Sequence, residues 1–389
     1  MAMATPALSA STQFAPPFRA DHVGSLRRPE RLMKAREKLL GVHDLDQNFG
    51  PHQNSELRAL EDECICEVVK LEEDTGIQSI TDGEFRRRIW WSDFLLSLEG
   101  VSGNYRGAAI LRDSGGHRAP LPRIDVSAPI RWTRSINVEP FKFLKSVTKR
   151  TPKVTIPAPQ TLYHFANRAT IDRNAYPDLQ AIWADLASAY MLELKALSEV
   201  GCTYVQLDEV VTACLCDETQ RGIFRSRGDD PDQVLQAIGK CIRDILKARP
   251  AGMTVVMHTC RGNLQGHWLA EGGYDPVAEF VFNEIPVDAY FLEYDSPRAG
   301  TFEPLRFVPK NKRVVLGLVS TKTAALESAD LLKRRIEEAS KYVSLERLCI
   351  SPQCGFSSNY LGNPVTIDDE KRKLELVVKV AEAVWSNAY

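Results

Sequence analysis

Two thiols, an imidazole and a carboxylate stand in this chain where they could share one metal ion. His258 and Cys260 lie in MHTC, Glu293 in FLEYD and Cys354 in SPQCG. Each follows a short apolar run that reads as a buried strand: MTVVMH at 253–258, DAYFLE at 288–293 and RLCIS at 347–351. Zinc is borderline-soft and accepts sulfur, nitrogen and oxygen donors tetrahedrally, so this set suits Zn²⁺. Taken singly, Cys260 and Cys354 read as buried thiols and His258 as a core histidine. Only their shared placement at strand ends makes them a metal set.

The elements that must position them alternate short apolar runs with longer amphipathic ones. Strands are expected at 18–23, 77–81, 153–157, 203–207, 253–257, 288–292, 313–319 and 346–350. Leu57, Leu60, Cys64, Val68 and Leu71 step by three or four, as one helix face requires. Leu332, Ile336, Ala339 and Val343 do the same, as do Leu374, Val377, Ala381 and Val384. Residues 178–200 and 230–248 read as two further long helices. Strand–helix alternation implies parallel strands with helical crossovers, and eight such units predict a closed α/β (β/α)₈ TIM barrel. Residues 82–152 are too many for one crossover, and 102–135, rich in Gly, Arg and Pro, predict a long excursion over one end of the barrel between strands 2 and 3. One domain is expected over 18–389, preceded by a disordered tail at 1–17.

A barrel carries its site at the C-terminal strand ends. Those ends read His22-Val-Gly-Ser25, Asp82-Gly-Glu84, Pro157-Ala-Pro-Gln160, Asp208-Glu209, His258-x-Cys260, Glu293, Ser320-Thr-Lys322 and Cys354. Zinc with two thiolates and a carboxylate has a net negative formal charge, which makes it a poor activator of water. Such a site suits holding a substrate thiol as a nucleophilic thiolate, with Glu293 the ligand that yields. A closed structural site is the alternative. Asp82, Glu84, Asp208 and Glu209 could accept N–H donors from an α-amino group, or serve as loop acids and helix caps. Ser25 could donate to a substrate carboxylate. Tyr163, and less so Trp90 and Trp91, could stack on a flat heterocycle or simply pack. Neither a Walker pattern nor a G-x-G-x-x-G fingerprint is present.

Composition narrows the class of partner. Of 389 residues, 44% are hydrophobic and 26% charged, with a net charge of −2, so neither nucleic acid nor an anionic membrane is expected. No apolar stretch is long enough to span a bilayer. Nine sparse cysteines are unlike a secreted disulfide framework and suit a reducing, cytoplasmic setting. Cys64, Cys202 and Cys241 read as core residues, and Cys214-Leu-Cys216 as a weak chelate. The oligomeric state is left open, a homo-oligomer included.

From Phe18 to Trp385 the ordered set HVGS (22–25), TDGEFRR (81–87), PAPQTLY (157–163), QLDE (206–209), HTC (258–260), FLE (291–293), GLVSTK (317–322) and PQCG (352–355) resembles the catalytic barrel of the cobalamin-independent methionine synthases. The resemblance implies zinc on His258, Cys260, Glu293 and Cys354, homocysteine contacts at Ser25, Glu84 and Asp208, and folate stacking near Tyr163. It implies transfer of a methyl group from a methyl-folate-type donor to a homocysteine-like thiol. Zinc-dependent alkylation of a thiol by methylcobalamin or an epoxide, and a non-catalytic zinc-binding barrel, are the other readings. This chain has no room for the second barrel of the larger enzymes, and Lys322 stands near the family's proton-handling histidine. Lys322 is expected to orient an anionic group better than it donates a proton.

Overall fold

The computed structural model describes residues 15–41, 51–112, 118–166 and 168–385. Its strands are β1 Ser79–Ile80, β2 Glu99–Arg112, β3 Arg118–Arg131, β4 Thr151–Pro152, β5 Val154–Pro157, β6 Tyr204–Glu209, β7 Thr254–Thr259, β8 Ala289–Glu293, β9 Arg313–Val319 and β10 Leu348–Pro352. Strands β5 to β10 form one parallel sheet in sequential order. β1 pairs in parallel with β4, and the Lys153 amide, which alone separates β4 from β5, donates to Ile80 O at 2.7 Å. On the other side, Ala20 bridges Ile350 of β10 in parallel. These segments close the (β/α)₈ ring that the alternation predicts.

The strands are nearly continuous apolar runs because both faces are covered, as in parallel sheets generally. Tyr204, Val256, Ala289, Phe291, Val315 and Cys349 form an inner cluster. Their neighbours Val205, Leu207, Val255, Met257, Tyr290, Leu292, Val314 and Leu316 point outward into the larger core under the helices. That outer layer includes helices Ser55–Thr75, Ala181–Glu199, Pro231–Lys247, Asp275–Glu284, Ala329–Ser340 and Ile367–Val384. Several starts have local causes. The Asn54 side chain accepts from the Leu57 amide, Asp230 accepts from two amides ahead of Pro231, and Thr366 with Asp369 forms a capping box.

The excursion expected at 102–135 is an antiparallel hairpin of β2 and β3. It leans on helices Gln160–Ala166 and Ala181–Glu199, anchored by the Ile130 amide donating to Tyr176 Oη at 2.7 Å. Gly, Pro and Arg interrupt any period-two pattern in β2 and β3, so no strand was legible there. Residues 1–14 of the expected tail lie outside the described residues. Ala15 and Pro17 are tied down, their carbonyls accepting from Arg313 at 3.0 and 2.9 Å. All nine cysteines are free.

The seam between the Ala20 segment and β1 is closed mainly by side chains. Asp21 Oδ1 accepts from Ser79 Oγ at 2.7 Å and from Lys153 Nζ at 3.1 Å. Tyr204 Oη donates to Asp21 Oδ2 at 2.8 Å. Asp21 and Lys153 are both fully buried. Replacing Lys153 by Met should therefore destabilise the fold by about 3–5 kcal/mol, because Asp21 is left as an unpaired buried charge. Adding Asp21→Asn should recover part of that loss in chemical denaturation; a Lys153→Met protein of unchanged stability would show that the pair does not hold the seam.

Candidate metal centre

The parallel register delivers the predicted side chains to one end of the barrel. Asp208 of β6 lies beside His258 of β7, and Glu293 of β8 beside Gly317 of β9. The ligand atoms of His258, Cys260 and Cys354 lie within 4.8 Å of one another, and all three residues are buried. Cys260 Sγ donates to Cys354 Sγ at 3.3 Å, and the Gly262 amide donates to Cys260 Sγ at 3.2 Å. Among the described residues neither nitrogen of the buried His258 ring makes a hydrogen bond of good geometry, and its nearest polar interaction is with the Cys354 thiol. A buried imidazole without a well-formed hydrogen bond is costly unless something else takes up its lone pair. Two thiols and this ring therefore fit a soft or borderline divalent metal.

The two hydrogen-bonded thiols shift in opposite directions. The hydrogen bond from Cys260 holds the Cys354 thiol well below its ordinary range, against burial and with help from His258 and Lys322. Cys260 is pushed well above its range by the same bond and by burial. Burial opposes protonation of His258, but Cys354, Asp208 and Glu293 outweigh it and raise its pKa. Lys322, itself buried, donates from Nζ to Gly262 O at 2.9 Å.

Glu293 is fully buried but is not in this triad. Its Oε1 accepts from Arg298 at 3.1 and 2.7 Å, and Oε2 accepts the Arg261 amide at 2.9 Å. Burial would raise its pKa, yet Lys322, Arg298 and Arg261 together lower it. The expected four-residue set is thus three converged residues and one carboxylate held by arginine.

Asp208 and Glu84 both shift the opposite way from Glu293. Burial pushes Asp208 up to about 7, with Glu84 adding and His258 opposing. Its Oδ1 accepts from Gln206 Nε2 at 2.6 Å. Burial also raises Glu84, against the pull of Arg87. Glu84 sits at φ 60°, in the left-handed region that costs a non-glycine residue free energy. Asp82 holds it there by accepting its amide at 2.9 Å, and Arg28 by donating to its carbonyl at 2.6 Å. Glu84 Oε1 accepts from Thr155 at 2.7 Å and pairs with Arg87 at 3.2 Å, whereas Oε2 has no hydrogen-bond partner among the described residues. A buried, half-satisfied carboxylate on a strained backbone is a common mark of a binding group.

Other expected residues fall differently. Tyr163 is buried, its hydroxyl donating to Asp229 at 2.8 Å and its ring 5.1 Å from Trp183, so it is engaged in packing. Trp91 stacks on Phe165 at 5.1 Å. Glu209 accepts the Thr212 amide at 2.7 Å, a loop-supporting role. Reasoning from the sequence missed Arg87, Thr155, Arg261 and Arg298. Arg87 stood in the quoted TDGEFRR run, but nothing local marks the others. Gln160 was noted only as a strand end, and its buried side chain makes no hydrogen bond of good geometry among the described residues, lying beside Glu209.

The sequence profile of the cobalamin-independent synthase catalytic domain matches residues 36–383. The uncharacterized protein YxjG of Bacillus subtilis is 41% identical over 373 residues, covering 95% of each chain. The methionine synthase of Pyrococcus abyssi is 26% identical over 299 residues, covering 74% of this chain and 73% of its own. A Listeria monocytogenes protein assigned as a vitamin-B12-independent methionine synthase superposes with a TM-score of 0.72 at 32% identity, covering 95% of this chain and 98% of that one. A B12-independent methionine synthase from Shewanella, solved with selenomethionine, gives 0.70 at 19% identity, covering 95% and 98%, and shares the fold.

Ser25 is buried against the loop that carries Cys354. A Cβ on Gly355 would stand 1.9 Å from Ser25 Oγ. Gly355→Ala should therefore lower stability by about 1–3 kcal/mol through overpacking. The denaturation midpoint reports it, and an unchanged midpoint would mean that Ser25 moves freely.

Proposed function

Since this chain belongs to the cobalamin-independent methionine synthase family, by its catalytic domain, we propose that it is a zinc-dependent methyltransferase acting on a thiol. Homocysteine is the proposed acceptor and a methyl-folate-type compound the donor. The observation that carries this reading is the converged triad of His258, Cys260 and Cys354, with the poorly hydrogen-bonded imidazole of His258 among two thiols. Cys354, already biased toward thiolate, and Cys260 would hold zinc with His258, and Glu293 would serve as the exchangeable fourth ligand. When bound, zinc supplies a substrate sulfur that is deprotonated yet still nucleophilic.

The chain's own residues then orient the acceptor. Asp208 and Glu84 are carboxylates raised by burial, so an α-ammonium would bring them the counter-charge they lack. Ser25, at the start of the mouth, would face the acceptor's carboxylate. In the transfer, the sulfur–carbon bond would form as the donor's carbon–nitrogen bond breaks, and the leaving nitrogen would take a proton from water, in balance with the one the acceptor thiol released. Lys322, tied to Gly262 O, would hold an anionic substrate group rather than supply that proton. Tyr163, engaged with Asp229 and Trp183, would support the donor side only through packing. No helix among the described residues is long and apolar enough to cross a membrane, and both proposed substrates are water-soluble. A cytoplasmic location fits the nine free cysteines.

Metal analysis joined to a thiol-methylation assay tests the reading. The purified protein should hold about one zinc per chain, and homocysteine should be consumed with methyl-folate but not with a simple epoxide. Cys260→Ser and Cys354→Ser should lose zinc and turnover while remaining folded. Full zinc in both variants would refute the ligand assignment, and turnover with methylcobalamin or an epoxide alone would replace the donor.

The amino-end assignment has its own test. Asp208→Asn should weaken homocysteine binding by roughly 2 kcal/mol or more, relative to a thiol lacking the amine. Equal losses for the two thiols would make Asp208 a structural residue.

A further inference from the structure

Glu293 ends β8 next to the thiol pair, yet both of its oxygens are committed elsewhere. One takes a two-pronged contact from Arg298 at 3.1 and 2.7 Å, the other the Arg261 amide at 2.9 Å. Glu293 is fully buried and the Arg298 side chain only 10% exposed. Solvent therefore does little to loosen the pair, and a forked guanidinium contact fixes direction as well as charge. The guanidinium is itself pinned. It reaches Asp295 at 2.6 Å and lies over the Trp268 ring at 4.7 Å. Arg261 directly follows Cys260, so the second restraint on Glu293 comes from the loop that carries a thiol ligand.

We propose that Arg298 is a positioning residue that competes with the metal for the Glu293 carboxylate, so that this fourth ligand yields readily to the incoming thiol. The inference rests on the zinc reading above. A carboxylate beside a metal site has two rival partners, and their relative strengths set how much of the time it ligates. An arriving thiol can displace Glu293 cheaply only if the carboxylate has somewhere else to go. A buried anion without a partner costs several kcal/mol, and Arg298 with the Arg261 amide removes that cost without a proton being taken up. Lys322 adds favourable charge to Glu293, but its ammonium is bonded to Gly262 O and does not replace the fork. Without Arg298, the carboxylate keeps the charge of Lys322 and the Arg261 amide but loses the forked contact, so the balance shifts toward the metal.

The test is zinc affinity, read by competition with a chromophoric chelator on the full chain without substrate. Arg298→Met should bind zinc about tenfold tighter or more, the range over which groups behind a metal ligand act. Arg298→Lys should fall between, since a point charge keeps the attraction and loses the fork. The gain should vanish in Arg298→Met/Glu293→Gln, and homocysteine should bind zinc-loaded Arg298→Met more weakly than wild type. Unchanged or weaker zinc binding by a folded Arg298→Met protein would overturn the proposal. If that variant does not fold, the sign of the Arg298→Lys shift decides in the same way. A wild-type protein that takes up no zinc would sink the zinc reading and this inference together, whereas zinc-replete wild type with an unshifted variant sinks this inference alone.

Discussion

The barrel depends on one buried carboxylate at its weakest seam. Among the described residues no backbone ladder joins the Ala20 segment to β1, and the gap is spanned by Asp21, whose oxygens take donors from Ser79, Lys153, Tyr204 and the His22 amide. These donors belong to the first segment, to β1, to the β4–β5 junction and to β6, so a single anion ties a quarter-turn or more of the ring. Such a charge is tolerable in a dry interior because its lone pairs are engaged and its partner is close. Burial lowers the pKa of Lys153 and Asp21 opposes that shift. The lysine also sits 4.4 Å from the Phe291 ring, a further favourable site for a buried ammonium.

With the ring closed, the strand ends share a level, and the arrangement of charge there decides what each acid can do. Glu84, Asp208 and Glu293 are all buried, and burial alone raises every one of them. Only Glu293 ends below the ordinary carboxylate range, because Lys322, Arg298 and Arg261 surround it. Glu84 pairs with Arg87, with Arg28 acting more weakly, and Asp208 pairs with no arginine among the described residues, so both stay raised. The same residue type thus divides into a committed carboxylate and two receptive ones, through the placement of basic side chains. On the proposed reading, the receptive pair faces the substrate's ammonium and the committed one makes way for its sulfur.

The triad adds a second asymmetry. Two thiols 3.3 Å apart are hydrogen-bonded, and the accepting one, Cys354, is biased toward thiolate, helped by His258 and Lys322. That bias lowers the cost of deprotonation that metal binding demands of thiol ligands. Gly355 makes the approach of this loop to Ser25 feasible, since any side chain would occupy the space of the serine hydroxyl.

The barrel, its helical layer and the residues delivered to its mouth were determined by the sequence itself. Each depends on short-range spacing: strands buried on two faces become apolar runs, helices repeat at three and four, and a strand's last residue is named by where its run stops. His258, Cys260 and Cys354 converge for that reason. What only the tertiary structure decided was the choice of partners. Asp21 and Lys153 are 132 residues apart, Glu84 and Thr155 are 71 apart, and no local pattern couples them. Arg298 is near Glu293 in sequence, but the bend at Ser296 and Pro297 turns it back onto the carboxylate. Tyr163 follows β5 as expected, on the helix Gln160–Ala166, yet its hydroxyl finds Asp229 inside the fold. Backbone periodicity is set by local sterics and burial, whereas a buried polar group binds whichever donor or acceptor the closed chain brings within reach.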